Sequence, residues 1–128
     1  MSKDISMGIN MGHDRGVAIV SNGILLGAIA QERIDRIKHS SSLSIPFEAI
    51  DALLKYLHIS IHEISCVGVS CTSVDIHNLH QYTKEMLSEH YNLNFSQVIP
   101  VSHHLAHAEA CFNTSGFNES LVFVADGG

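Results

Sequence analysis

Three histidines fall within the five residues His103 to His107, in the stretch VSHHLAHAEA. Small apolar residues surround them. A strand-like run precedes them and an alanine-rich, helix-forming run follows. On a helix, side chains four apart share a face. His103 and His107 therefore have the spacing to hold one metal ion through imidazole nitrogens, and His104 and His107, three apart, do so less squarely. The dipole at a helix N-terminus disfavours imidazolium, and the neutral ring is the form that ligates. Such a site needs a third protein ligand. Asp126 is the best placed, at the carboxyl end of a predicted strand, because ligands of open α/β sheets gather beyond the strands' carboxyl ends. The alternative is that His103 and His104 are solvated and His107 packs against a neighbour.

Three further stretches carry chemistry-bearing residues. In Gly8-Ile9-Asn10-Met11-Gly12-His13-Asp14 a strand runs into a glycine-bounded turn. Backbone N–H groups in such a turn can face an anion, and Gly12 permits close approach of a phosphate or carbonyl. His13 and Asp14 could position or polarise a substrate. The plainer reading is a tight turn built from turn-forming residues. In Gln31 to His39, Arg36 and Lys38 could hold an anionic group, or the run is a solvated, mixed-charge surface. Asp126-Gly127-Gly128 suits a loop that approaches a phosphate, or a simple turn.

Elements must position these residues. Ile5 to Met11, Val17 to Val20 and Ile24 to Ala30 read as strands. The last two are joined at Asn22-Gly23, a strong hairpin signal. Their near-continuous apolar character predicts cover on both faces. Glu32 to Ser44 reads as a polar loop. Pro46 opens a helix in which Phe47, Ile50, Leu53, Leu54 and Leu57 recur at helical spacing. Ile64 to Ser70 is a fourth strand. Ile76, Leu79, Thr83, Met86 and Leu87 mark a second helix ending near Tyr91. A short strand over Val98 to Val101, a helix over His104 to Phe112 and a last strand over Leu121 to Ala125 complete the order. Strands alternating with helices predict an α/β sheet with crossovers. An antiparallel start followed by parallel units is the pattern of a ribonuclease H-like core, a mixed sheet with N-terminal hairpin strands and flanking helices.

Composition bounds the function. The chain has 128 residues and a net charge of −6. That suffices for one domain with a real core, and it argues against duplex nucleic acid as the main partner. Cys66, Cys71 and Cys111 form no CxxC pair, so reduced thiols in a cytoplasmic protein are expected rather than a zinc ribbon or disulfide framework. No signal peptide and no apolar run of about 20 residues is seen, so no membrane partner is expected. A buried strand running into Asp126-Gly127-Gly128 reads as cut short, so residues 1–128 are expected to be one N-terminal subdomain of a longer domain.

Together these stretches resemble the N-terminal part of the carbamoyltransferase family that includes nodulation-factor and antibiotic O-carbamoyltransferases. Gly8 to Asp14 match its Gly-Ile-Asn-x-Gly-His-Asp opening, and Asn22-Gly23 its hairpin. Glu32 to His39 match Glu-Arg-x-x-Arg-x-Lys-His, and His103 to Ala108 match His-His-x-x-His-Ala. Asp126-Gly127 begin Asp-Gly-x-Gly-Glu. The resemblance implies an actin/sugar-kinase/heat-shock ATPase-type fold, similar to the metal-binding subunit that makes threonylcarbamoyl-adenosine on tRNA. It implies a divalent metal, iron by preference, on His103, His107 and Asp126. It implies catalytic roles for His13 and Lys38, with His13 a base for the acceptor hydroxyl. Asn10, Gly12, Arg36 and Gly127 are implied to lie at the nucleotide or carbamoyl group.

The implied partners are ATP, carbamoyl phosphate and a small-molecule hydroxyl acceptor. Carbamoyl-adenylate would be made in a separate C-terminal domain, and the chain alone is expected to be inactive. Asn10 departs from the wider ATPase fold, where many relatives carry an aspartate that holds Mg²⁺ through water. An amide cannot supply that charge. A ribonuclease H-like nuclease is disfavoured on the same ground, since it needs clustered strand-end carboxylates. The remaining alternative is a non-catalytic binding or oligomerisation module, in which exposed apolar surface makes a homodimer.

Overall fold

A computed structural model describes residues 4–72 and 78–125. Its strands are β1 (Ile5–Met11), β2 (Gly16–Ser21), β3 (Ile24–Ala30), β4 (Ile64–Cys71) and β5 (Val98–Pro100), and its helices α1 (Glu32–Asp35), α2 (Phe47–Leu57), α3 (Leu79–Tyr91) and α4 (His103–Ser115). The strands form one mixed sheet in the order β3-β2-β1-β4-β5. β1, β2 and β3 pair antiparallel, whereas β4 runs parallel to β1 and β5 parallel to β4. The element order follows the sequence pattern closely. Asn22 and Gly23 take positive φ of 50° and 80°, so they make the two-residue turn whose twist suits a hairpin.

The sheet is two-faced in side-chain size. Met7, Ile19 and Val67 stand in register, as do Ile9, Val17 and Val69, and all are buried. α2 and α3 cover this face, through Ile50, Leu53 and Leu54 on one helix and Leu79 and Leu87 on the other. α2 approaches β3 so closely that a Cβ on Gly27 would meet Leu53 Cδ1 at 3.0 Å. The buried Gln31 fixes the start of α2, accepting the Ala49 N–H at 3.1 Å and donating to Glu48 at 3.1 Å. Tyr91 on α3 donates to Asp51 on α2 at 2.8 Å. Burial, and then this bond, push its phenol well above the usual tyrosine range.

The opposite face carries small residues in register across four strands. One row is Ala28, Ala18, Gly8 and Gly68, and the next is Ala30, Gly16, Asn10 and Ser70. Ala106 and Ala110 of α4 line, with these rows, a cavity of about 560 Å³. Among the described residues this face is thus only partly covered, which corrects the expectation of cover on both faces. The strands read as continuously apolar because Gly and Ala stand where a one-sided sheet usually places polar residues.

Two further expectations change. Glu32 to Ser44 is not a plain loop: it contains α1 and a bridge between Ser42 and Gly12. Leu121 to Ala125 form no strand, and Leu121 and Phe123 are 98% and 88% exposed. A strand needs a ladder partner. The edge strand β5 spans only three residues and ends in Pro100, which has no N–H to offer. Ile76 of the predicted second helix lies outside the described residues.

Candidate functional site

Parallel pairing brings the carboxyl ends of β1, β4 and β5 together, with Asn10 beside Ser70 and Val69 beside Pro100. The Gly12–Arg15 turn, Thr72 and the start of α4 follow directly from these ends. Thr72 N–H donates to Met11 O at 3.1 Å, and Val101 N–H to Val69 O at 2.8 Å. Among the described residues, the motifs read from the sequence therefore emerge at one end of the sheet.

At the start of α4, Ser102 takes extended backbone angles and its hydroxyl accepts the Leu105 N–H at 3.0 Å. This cap orients a helix whose first turn carries His103. One turn on, His107 Nε2 stands 3.0 Å from His103 Nε2, with ring centroids 4.4 Å apart. Two imidazole nitrogens about 2.1 Å from one ion, at roughly 90–110°, stand about 3.0–3.4 Å apart. The pair thus has the separation of two ligands on one metal. The His104 ring lies 5.9 Å from that of His103, tilted. Asp126 and Gly127 lie outside the described residues. Ser102→Ala is expected to weaken the first turn of α4 by about 1 kcal/mol. The Leu105 amide should then exchange about five-fold faster or more. Unchanged exchange would remove the cap from this account.

The turn after β1 is bonded throughout. Gly12 N–H donates to Ser42 O at 2.8 Å and Arg15 N–H to Ser40 O at 3.1 Å. Asp14 N–H donates to His39 O at 3.4 Å, and His13 N–H to Thr72 Oγ1. These groups are committed to protein acceptors rather than turned outward to an anion, which is the plainer, tight-turn reading of this stretch. Gly12 is still required by its positive φ of 86°. Asn10 holds the turn from inside. Its amide donates to His13 O and Asp14 O, each at 3.1 Å, and its oxygen accepts from Ser70 Oγ at 3.0 Å.

The segment after β3 is clamped against this turn. Arg15 donates to Ser40 Oγ and Ser44 Oγ, each at 2.9 Å, and stands 3.6 Å from Asp35. Asp35 accepts from Ser40 Oγ and from the Ile37 N–H, and these two bonds hold its carboxyl below the usual range. The clamp leaves His39 beside the turn, where His39 Nδ1 stands 2.9 Å from Asp14 Oδ1 and His13 Nδ1 stands 2.5 Å from Asp14 Oδ2. The His39 hydrogen bond is the main cause of a lowered Asp14 pKa. Arg36 and Lys38 expose their side chains, and neither is ion-paired among the described residues. The structure brings His13 and the 32–39 segment together. It also adds Arg15, Asp35 and the Asp14–His39 pairing, which sequence reading missed. Spacing gave no signal for them, because the partners lie 20 or more residues apart.

No family model matches the chain. It spans about a fifth of the curated relative it matches. The chain is similar to the Nodulation protein NolNO of Sinorhizobium fredii, at 28% identity over 91% of this chain and 20% of that protein.

Proposed function

We propose that this chain is the N-terminal, metal-bearing part of an O-carbamoyltransferase of the nodulation type. The observation that carries the reading is the facing pair of His103 and His107 nitrogens, 3.0 Å apart. They stand at the carboxyl end of parallel strands, in a chain similar to a nodulation protein over most of its length. The strand order β3-β2-β1-β4-β5, antiparallel for the first three strands and parallel beyond, is consistent with a ribonuclease H-like, ATPase-type fold.

In this reading His103, His107 and Asp126 hold the metal. Imidazole and carboxylate donors suit iron, zinc and manganese alike, and iron is the metal the family resemblance favours. When bound, the metal supplies Lewis-acid polarisation of the carbamoyl carbonyl or the adjoining phosphate. Asp14 stands at His13 Nδ1, so in the neutral ring that donates Nδ1–H to Asp14 the basic nitrogen is Nε2. That nitrogen takes the proton of the acceptor hydroxyl as its oxygen bonds to the carbamoyl carbon. The bond from that carbon to the adenylate phosphate oxygen then breaks. Lys38 and Arg36 offset the negative charge of the carbamoyl-adenylate, with Gly127 at its backbone contacts, Gly12 shaping the turn beside it through its positive φ and Asn10 holding that turn. Carbamoyl-adenylate comes from carbamoyl phosphate and ATP in sequence beyond this chain.

Mass gain of one carbamoyl group on a panel of hydroxylated small molecules, with ATP and carbamoyl phosphate supplied, tests the reading. The chain alone should transfer nothing. The chain extended with the remainder of the related nodulation protein should transfer, and His13→Ala in that form should lower kcat by about 10²–10⁴-fold. Transfer by the chain alone, or full activity of the His13→Ala form, would refute the assignment. A second reading, an oligomerisation module, draws on the exposed Phe117, Leu121 and Phe123. An inactive extended form that sediments as a dimer would favour it.

A further inference from the structure

Asp14 is the meeting point of two imidazoles that come from different segments. The donor atoms of His13, Asp14 and His39 all lie within 4.8 Å of one another. The two rings are stacked, with centroids 5.0 Å apart, and both turn Nδ1 to the same carboxylate. All three side chains are about half exposed, so an ion reaches them from solvent. Their backbones are nevertheless fixed. The His39 N–H donates to Glu32 at 2.8 Å, Asp14 N–H to His39 O, and His13 N–H to Thr72. Asp14 and His39 both take left-handed backbone angles, with φ of 58°. Non-glycine residues hold such angles at an energetic cost, and they cluster where geometry serves a ligand.

We propose that His13, Asp14 and His39 form a second divalent-cation site, separate from the His103–His107 pair. Two imidazoles and one carboxylate suit a transition cation such as Zn²⁺ or Co²⁺ and discriminate against Mg²⁺ and Ca²⁺, which prefer all-oxygen shells. Three protein ligands leave at least one position for water or an anion. Binding moves each neutral ring from the Nδ1–H to the Nε2–H tautomer. The nitrogen lone pairs go to the cation, no net proton is lost, and the carboxylate offsets one of the two positive charges. On the carbamoyl-transfer reading above, a cation on Nδ1 would leave the ring's own proton on Nε2 of His13 and so silence it as a base, which makes the site inhibitory.

The test uses this chain with His103 and His107 both replaced by alanine, so that only the second site reports. Calorimetric titration with Zn²⁺ should show one equivalent bound, and Mg²⁺ should show none. His39→Gln in that background should weaken Zn²⁺ by more than ten-fold. Imidazole ¹⁵N shifts of the unmutated cluster should show Nδ1 losing its proton and Nε2 gaining one as Zn²⁺ is added. An absence of Zn²⁺ binding in the double variant would overturn the site. So would affinity indifferent to His39→Gln, or rings that keep Nδ1–H when Zn²⁺ is saturating. None of these readouts involves carbamoyl transfer, so the site and the proposed activity stand or fall separately.

Discussion

His107→Ala is expected to abolish tight metal binding at the start of α4. The two Nε2 atoms stand 3.0 Å apart, and removing one leaves His103 with only the carboxylate proposed from Asp126. Loss of an outer-shell partner alone costs about 10–100-fold in affinity, and loss of a direct ligand costs at least that. The measurement is a Zn²⁺ or anaerobic Fe²⁺ titration of the chain in a His39→Ala background, which removes the cluster at the β1–β2 turn. His103→Ala should behave as His107→Ala does. His104→Ala should leave affinity unchanged, because the two facing nitrogens belong to His103 and His107. Folding is not at stake, since His107 is exposed and α4 contributes nothing to the buried core among the described residues. Equal loss in all three variants would mean a general effect on the helix, and full affinity in His107→Ala would remove the site.

The parts of this molecule written locally in the chain are the parts that sequence reading recovers. Asn22-Gly23 fixes a hairpin by backbone angle. Phe47, Ile50, Leu53 and Leu54 fix a helix by period, and His103 with His107 fix a shared face by spacing. In β2 the alternation is one of volume rather than polarity: Val17 and Ile19 are buried in the core, whereas Gly16 and Ala18 line the cavity. Counting residues only as apolar or polar conceals that difference, which is why cover on both faces was expected. The clamp of Arg15 on Asp35, Ser40 and Ser44 is hidden for another reason. It joins the β1–β2 turn to a segment 20 or more residues later, and such pairing follows from topology rather than periodicity. The charged run from Glu32 to His39 reads as solvated surface until β3 returns it to the turn. The apolar run Leu121 to Ala125 shows the converse, a strand-like composition with no ladder partner among the described residues.

Asn10→Asp is expected to destabilise the turn that presents His13 and Asp14, by about 2–3 kcal/mol. The amide of Asn10 donates to two carbonyl oxygens, of His13 and Asp14, at 3.1 Å each, while Ser70 Oγ donates to its oxygen. A carboxylate keeps the acceptor for Ser70 but turns the two-donor end into a second acceptor, which faces two carbonyl oxygens and carries negative charge. The turn's own N–H groups cannot compensate, because they are bonded to Ser42, Thr72, His39 and Ser40. An amide rather than a carboxylate at this strand end is therefore what lets the turn close. Protonation supplies one donor, so the folded state raises the pKa of the introduced carboxyl. The folded form then binds that proton more tightly than the unfolded chain does, and the deficit relative to wild type shrinks as pH falls toward the unfolded aspartate value of about 3.9. Asn10→Ala loses the same two donors without adding charge, so its deficit should not narrow with acid in this way. Urea unfolding of the three proteins at pH 7.5 and pH 4.5 measures both effects. Wild-type stability of Asn10→Asp at pH 7.5, or a deficit that grows as the pH falls, would show that the turn does not depend on the amide.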